Sequence, residues 1–392
     1  MRLPKLTELN AEQLSIFNAP LNETLLVIGP PGSGKTVLAF FRAEALRRKK
    51  VACHVLMYNR VLNSFTKNKD FPDVVSDTLL TWLSKWWRKA VGSSIPKMQN
   101  SGAWGYKPND YGEMINRIAL ASSDANFDWG HIIIDEAQDF PPELYTMFNT
   151  CKILRFQSHE YVPTITILAD ENQRITKQNA TIAEIQECTG IADSNKYSLV
   201  KNFRNTKQIS EFAGEFYVGL ESGRASPPDR EGELPRVTQV EQASSVFEKI
   251  FRHVRQHEEE EIGVFLQTKS QVRQYYDALK ARFAYMPTIR VQGYIGGDKE
   301  LSDKTLQFDR PGTLTIVCLA SVKGLEFDTV FIPELHSFRR DESNQEITKM
   351  QLYVSCTRAR RTLRLLYQGE SFQSNGIGRW IPSRDTGLAE WD

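Results

Sequence analysis

The feature that most constrains the fold is a glycine-rich loop near the start of the chain, Gly29-Pro30-Pro31-Gly32-Ser33-Gly34-Lys35-Thr36. An apolar run at residues 25–28 precedes this loop, and a helix-like segment at residues 37–48 follows it. In a strand–loop–helix unit with this spacing, glycines let backbone N–H groups close around phosphates, and the helix N-terminus adds its partial positive charge. The pattern predicts a nucleotide phosphate-binding loop rather than a glycine-rich turn without a ligand.

Two side chains of the loop have expected roles in binding a nucleotide. The ammonium group of Lys35 is expected to reach the β- and γ-phosphates. The hydroxyl group of Thr36 is expected to complete the ligand shell of a Mg²⁺ ion.

Length and composition limit the remaining possibilities. A chain of 392 residues is expected to form two or three domains. The formal net charge is +1, so any nucleic-acid site must be a local groove rather than a general basic surface. The cysteines and histidines show no metal-ligand spacing, which predicts reduced thiols and a cytoplasmic location. We expect no membrane partner, because no signal-peptide core or membrane-length apolar run is present.

The order of apolar runs in the first half predicts an α/β fold. Strand-like runs at residues 51–57, 131–134 and 164–168 alternate with helical stretches. Such runs indicate a parallel sheet that is covered by helices on both faces.

Polar side chains follow two of these runs. Asp135 and Glu136 come directly after one strand, and Asp170 and Gln173 follow the next. Ligands bind beyond the carboxyl ends of the strands in sheets of this kind. We therefore expect these four side chains to meet the phosphate-binding loop in one crevice.

The second half repeats the alternation of strands and helices without a phosphate-binding loop of its own. Strands are predicted at residues 262–266, 314–319, 329–332 and 363–367, and helices at residues 243–256, 270–283 and 348–357. A helix predicted at residues 206–220 precedes this half. A stretch rich in glycine, proline and charge, residues 221–236, is expected to hold the linker. The predicted domains are residues 1–220, with a small inserted lobe at about 88–128, and residues 221–392.

The acidic pair suits Mg²⁺-assisted phosphoryl transfer to water. Asp135 would hold the metal, and Glu136 would orient and deprotonate the attacking water. An arginine contributed across a domain gap can stabilise the transition state. Arg204 and Arg358 are candidates, although spacing alone does not distinguish them from the other arginines.

The motifs occur in an order that resembles superfamily 1 helicases of the UvrD/Rep type, over most of the chain. The matching positions are Gln13 and residues 29–36, 58–60, 78–82, 135–139, 170–173, 202–205, 323–328 and 353–359. The resemblance implies two RecA-like P-loop domains with parallel sheets, and an ATP cleft between them.

The resemblance also implies residue roles. Gln13 would read adenine, Phe203 would stack on it, and Glu326 would touch the ribose. Gln173 would sense the γ-phosphate, and Arg204 and Arg358 would reach it. The implied catalytic set is Lys35, Glu136, Gln173, Arg204 and Arg358, and the implied metal ligands are Thr36 and Asp135.

Single-stranded DNA crosses the tops of both domains in this family, through phosphate contacts and base stacking. The implied DNA-binding positions are Tyr58, Asn59, Arg60, Thr78, Trp82 and Lys323. On its own, the spacing of Trp82, Trp86 and Trp87 along one helix face favours a core position over a ligand platform.

The chain departs from the family pattern at several positions. Motif V usually begins Thr-x-His, whereas residues 318–320 are Cys-Leu-Ala. The aromatic and arginine positions of motif III are occupied by Thr176, Gln178 and Asn179, and the arginine that often follows the loop threonine is Val37. The ATP-related motifs are therefore complete, while some of the positions that bind DNA in the family are altered.

Two functions follow from these motifs. The first is an ATP-dependent single-stranded DNA translocase or helicase, moving 3′ to 5′ and hydrolysing ATP with Mg²⁺. The alternative is an ATPase switch subunit that responds to DNA or a partner protein without separating strands, beside a nuclease in repair or anti-phage defence. The short gaps at about 88–128 and 205–313, where family members carry accessory domains, favour a compact core. A small-molecule kinase is disfavoured, because Glu136, Gln173 and Arg358 suit attack by water.

Overall fold

The computed structural model describes residues 5–58, 73–100, 107–157, 159–173, 179–220, 222–338, 345–369, 372 and 376–392. These residues form two β-sheets, one in each half of the chain, and the paired strands within each sheet are parallel. Helices cover both sheets, so the predicted α/β class is confirmed.

The first sheet has the strand order β3-β2-β4-β5-β1-β6. Its strands are β1 Leu25–Ile28, β2 Cys53–Met57, β3 Ser76–Thr78, β4 His131–Ile134, β5 Thr164–Ala169 and β6 Lys196–Ser198. The side chains of β1, β4 and β5 are buried along the full length of each strand, because helices cover both faces of the sheet. Since these strands are parallel, the loop after β1 and the acidic pair after β4 leave the sheet at the same edge.

Helices alternate with the strands of this half along the chain. They are α1 Ala11–Asn18, α2 Lys35–Arg48, α3 Leu79–Val91, α4 Tyr111–Leu120, α5 Pro142–Phe156, α6 Ile182–Thr189 and α7 Lys207–Gly214. The α2 helix starts inside the glycine-rich loop, so its free N–H groups face the cleft. The helix predicted at residues 206–220 is present as α7, but it ends at Gly214 and is shorter than predicted.

The second sheet has the strand order β13-β7-β12-β11-β8-β10-β9. Its strands are β7 Arg236–Gln239, β8 Glu261–Leu266, β9 Arg290–Tyr294, β10 Thr313–Cys318, β11 Phe327–Ile332, β12 Ala359–Tyr367 and β13 Glu390–Trp391, and its helices are α8 Ala243–Gln256, α9 Lys269–Arg282 and α10 Gln345–Cys356. The four predicted strands and the three predicted helices of this half are present, with shifts at their ends, and β12 begins four residues earlier than predicted.

The core of the first half contains an aromatic cluster beside α3. Trp82, Trp86 and Trp87 lie on the buried face of this helix, and Trp129 and Phe148 pack against Trp86. The rings of Trp82 and Trp86 are stacked, with centroids 5.8 Å apart and planes 9° from parallel. The tryptophan stripe of α3 therefore fills the core, as its helical spacing favours.

The two halves share buried apolar surface. One hydrophobic cluster contains Val27 of the first sheet and Val330 of the second, together with Phe212 of α7. None of the helices within the described ranges has the length and apolar character needed to cross a membrane.

Candidate nucleotide-binding cleft

A cavity of about 280 Å³ lies where the two halves meet. The cavity is lined by Glu8, Gln13, Pro31, Gly32, Ser33, Gly34, Lys35, Thr36, Val37, Glu136, Gln173, Phe203, Arg204, Gly324, Glu326 and Arg358. The structure thus brings together the whole predicted catalytic set and most of the predicted cofactor contacts. Gly29 and Pro30 lie behind the lining, where they hold Lys35.

The glycine-rich loop requires glycine at two positions. Gly32 and Gly34 have φ angles of +77° and +93°, which L-residues with side chains rarely adopt. A Cβ atom on Gly32 would lie 2.5 Å from Asn202 Oδ1, and one on Gly34 would lie 2.4 Å from Gln13 Nε2. Close approach of neighbouring side chains and backbone conformation therefore both favour glycine here.

Lys35 is buried beneath the loop. Its ammonium group donates to the carbonyl oxygens of Gly29, at 2.6 Å, and Pro30, at 3.1 Å. It also lies 3.9 Å from the Asp170 carboxylate. The lysine is thus held at the centre of the loop, where its charge would face the phosphates of a nucleotide.

The predicted metal ligands lie in contact with each other. The Thr36 hydroxyl donates to Asp135 Oδ2 at 2.6 Å. Burial, and then the charge of Glu136, raises the pKa of Asp135 to about 6. A hydroxyl and a carboxylate beside a phosphate-binding loop are the oxygen donors that Mg²⁺ prefers, so these residues fit the ion.

Glu136 has the features expected of a general base. It adopts a left-handed backbone conformation with a φ of +53°, directly after β4, and Gln138 Nε2 donates to its carboxylate at 2.7 Å. Burial raises the pKa of Glu136, but the charges of Lys323, Lys35 and Arg358 outweigh this effect and lower it. The carboxylate is therefore ionised and can accept a proton.

Arg358 crosses the cleft from the second half. Its Nη2 donates to Gln173 Oε1 at 2.9 Å, and Gln173 Nε2 donates to Asp170 at 2.6 Å. The guanidinium also donates through Nε to the Val354 carbonyl at 2.9 Å. Burial, and then the charge of Arg204, lowers the pKa of Arg358 to about 9. The arginine remains charged at neutral pH and touches the predicted γ-phosphate sensor.

Arg204 and Glu326 form a second link across the cleft. Arg204 Nε donates to Glu326 Oε2 at 2.8 Å, and both side chains are largely buried. The adjacent Phe203 ring is 45% exposed at the rim, where it could meet a flat base. Burial raises the pKa of Glu326, but Arg204 and then Arg360 outweigh it, so the carboxylate is held ionised.

Two further polar contacts between the halves were not predicted from the sequence. Asn205 Nδ2 donates to the carbonyl oxygens of Thr357, at 3.1 Å, and Ala359, at 2.5 Å. Lys323 Nζ donates to Asp139 Oδ1 at 2.6 Å, and these side chains are 2% and 0% exposed. Each residue lies inside a recognised motif, but no local signal in the sequence identifies its distant partner.

The predicted DNA-binding positions have different surroundings. Tyr58 is 40% exposed, while the hydroxyls of Thr78 and Thr81 share a hydrogen bond of 2.7 Å. Trp82 lies in the aromatic cluster and Lys323 is paired with Asp139, so a DNA contact at either side chain would require its neighbours to move. Asn59 and Arg60 lie outside the described residues, as do Thr176 and Gln178.

Comparisons with known proteins give partial matches to curated proteins. The chain is 26% identical over 244 residues to "Putative ATP-dependent DNA helicase R568" of Acanthamoeba polyphaga mimivirus, covering 58% of this chain and 33% of that protein. It is 42% identical over 53 residues to the RecBCD enzyme subunit RecB of Chlamydia pneumoniae, covering 14% of this chain and 5% of that protein. The matches thus span a third or less of these relatives.

A solved structure also matches part of the chain. The C-terminal domain of a possible DNA helicase from Lactobacillus plantarum WCFS1 covers 48% of this chain and 98% of its own, with 20% identity and a TM-score of 0.33. No family model matches the chain.

Proposed function

We propose that the chain is a Mg²⁺-dependent ATPase of the UvrD/Rep type that translocates on single-stranded DNA in the 3′ to 5′ direction. The observation that carries this proposal is the contact of Arg358 with Gln173 across a cleft that also contains the phosphate-binding loop and Glu136. Such a site has a phosphate cradle, a base and a transition-state cation in one cavity. The relative named as a putative ATP-dependent DNA helicase supports DNA as the coupled ligand.

Each side chain has a part in hydrolysis. The loop N–H groups and Lys35 would bind the phosphates, replacing the hydrogen bonds that Lys35 now makes to Gly29 and Pro30. Glu136, oriented by Gln138, would take a proton from the attacking water. Arg358 and Arg204 would stabilise the charge that develops on the γ-phosphoryl group.

Mg²⁺ bound by Thr36 and Asp135 would neutralise charge on the β- and γ-phosphates. Gln13 and Phe203 would hold the adenine ring, and Glu326 the ribose. We assign residues 1–220 to the first domain and residues 221–392 to the second, because the strands of the two sheets fall on either side of this boundary. The predicted lobe at 88–128 would include α4, whose Met114 and Ile118 belong to the core of the first half.

A second candidate is the ATPase switch that works with a nuclease without separating strands. The burial of Trp82 and Lys323 favours it, since two of the DNA contacts implied by the family resemblance are used inside the protein. The switch would keep the ATP chemistry and respond to a partner or to DNA without directional movement.

Steady-state ATPase rates with and without single-stranded DNA distinguish these candidates, with Glu136→Gln as the blank. Strong stimulation by DNA supports the translocase, and displacement of strands with 3′ but not 5′ tails would support its direction. An unstimulated but Glu136-dependent rate favours the switch. A rate no higher than that of the blank in both conditions would contradict both candidates.

A further inference from the structure

Arg42 is a fully buried arginine outside the cleft. It lies on α2, seven residues after Lys35, and its side chain is 0% exposed. No carboxylate of the described residues forms an ion pair with it. Burial lowers its pKa to about 10, so the guanidinium remains charged at neutral pH. A buried charge is costly unless its donors are used, so its hydrogen bonds indicate what the residue is for.

All the hydrogen bonds of this guanidinium go to the end of α1. Nη1 donates to the carbonyl oxygens of Ile16, at 2.7 Å, and Ala19, at 3.0 Å, and Nη2 donates to that of Pro20 at 2.9 Å. The last carbonyl groups of a helix lack partners within it and carry its negative partial charge. The planar guanidinium of Arg42 donates hydrogen bonds to these carbonyl groups and places a positive charge beside them, and it thereby holds α1 against α2.

The other end of α1 is tied to the phosphate-binding loop. Asn10 caps the helix by accepting from Gln13 N at 2.8 Å, and Gln13 Oε1 accepts from Asn10 N at 3.1 Å. The side-chain amide of Gln13 also donates to the Ser33 carbonyl at 3.0 Å. Gln13 thus occupies the first turn of α1, directly against the loop.

The position of Gln13 depends on how α1 is held. With 8 residues, α1 is too short to be stable by itself, so its contacts determine where it lies. Arg42 and Lys35 are two turns apart on one face of α2, about 10 Å along its axis. Lys35 and Arg42 therefore hold fixed positions relative to each other on α2, and Arg42 in turn holds α1, the helix that carries Gln13.

We propose that Arg42 is a positioning residue for nucleobase preference: it fixes α1 so that Gln13 stands at the distance from the loop that suits adenine. This inference rests on the proposed function, in which Gln13 reads the base. A glutamine amide discriminates adenine through paired donor and acceptor contacts, which a small shift of α1 would break. The groups expected to bind the phosphates lie on α2 and its loop, and α1 contacts that loop through the hydrogen bond from Gln13 to the Ser33 carbonyl.

The test measures the affinities for ATP and GTP by calorimetry in a Glu136→Gln background, where hydrolysis is blocked. Arg42→Met should lower the preference for ATP over GTP about tenfold, with little change in GTP affinity. Gln13→Ala should lose the same preference, and the double variant should be no worse than Gln13→Ala alone. Arg47→Met, at an exposed arginine on the same helix, is the matched control and should leave the preference unchanged.

A folded Arg42→Met variant that keeps the parent preference would overturn the proposal. If that variant does not fold, Arg42→Lys replaces it, because the lysine keeps the charge but loses the planar fork. The lysine variant should show an intermediate preference, and full preference would overturn the proposal. Equal affinities of the parent for ATP and GTP would also overturn it. The affinities for ATP and GTP are measured without DNA. Failure of the translocase proposal would therefore appear in the DNA-stimulated ATPase assay and not in these affinities.

Discussion

At the residue scale, the cleft is an arrangement of charges that neutralise one another. Glu136 is held ionised by lysine and arginine charges, and Arg358 is buried against Gln173. The placement of Lys35 and Glu136 in one cleft could be predicted from the sequence, because each lies in a short motif at the end of a strand. The pairing of Lys323 with Asp139 could not be predicted, because the two residues lie 184 positions apart in the sequence and no local pattern links them.

Removal of the Arg358 side chain should strongly slow hydrolysis. In the proposed function its charge stabilises the transition state, so Arg358→Ala should lower ATP turnover about 10³-fold. Arg361→Ala is the control, because this arginine is 65% exposed and is not among the residues that line the cleft. Steady-state kinetics at saturating ATP provide the measurement. Turnover within a few fold of the parent would remove the catalytic assignment of Arg358.

Substitutions of Glu136 and Lys35 should have different effects on ATP binding and hydrolysis. Glu136→Gln keeps the shape of the side chain and removes the base, so it should bind ATP but not turn it over. Lys35→Ala removes a phosphate contact and should weaken ATP binding as well. Equilibrium binding and single-turnover hydrolysis separate the two effects, with Glu143→Gln at an exposed position of α5 as the control. Normal hydrolysis by the glutamine variant would show that another group acts as the base.

At the element scale, fully buried strands were the easiest to predict. The runs that became β1, β4 and β5 are rich in leucine, isoleucine and valine and buried along their length, because both faces of the sheet are covered. The strands β7 and β9 were missed, since their sequences RVTQ and RVQGY are polar and interrupted, and pairing with neighbours decides their conformation. The shortest strands, β3, β6 and β13, are too short to show any period.

An ion pair joins the turn after β4 to the segment before β11, and its contribution can be measured as a change in the free energy of unfolding. Asp139 and Lys323 form a buried ion pair between these elements, at 2.6 Å. Replacing one partner leaves an unpaired buried charge, so Lys323→Met should destabilise the fold by about 3–5 kcal/mol. Adding Asp139→Asn should recover part of this loss. Urea denaturation gives the free energies of unfolding.

The control for this pair is an ion pair at the surface. Lys85 Nζ lies 2.7 Å from Asp77, with the lysine side chain 70% exposed, so Lys85→Met should cost at most about 1 kcal/mol. Equal effects of Lys85→Met and Lys323→Met would show that the buried link does not hold the two elements together.

At the scale of the whole molecule, the cleft exists only where the halves meet. Arg358, Glu326 and Gly324 come from the second half, and the loop and Glu136 from the first. Motif order predicted this arrangement through the family resemblance. The sequence did not predict the shared hydrophobic cluster, because the apolar residues that join the halves look like the rest of each core.

The aromatic cluster beside α3 also has an optical consequence. Trp82, Trp86, Trp87 and Trp129 are four of the seven tryptophans and are buried in one half, so intrinsic fluorescence reports chiefly on that half. The stacked pair should produce an exciton signal in circular dichroism that Trp82→Phe removes and Trp380→Phe leaves intact. Since both halves share a core cluster, this signal and the backbone signal should disappear at the same urea concentration. Separate midpoints would mean that the two halves unfold independently.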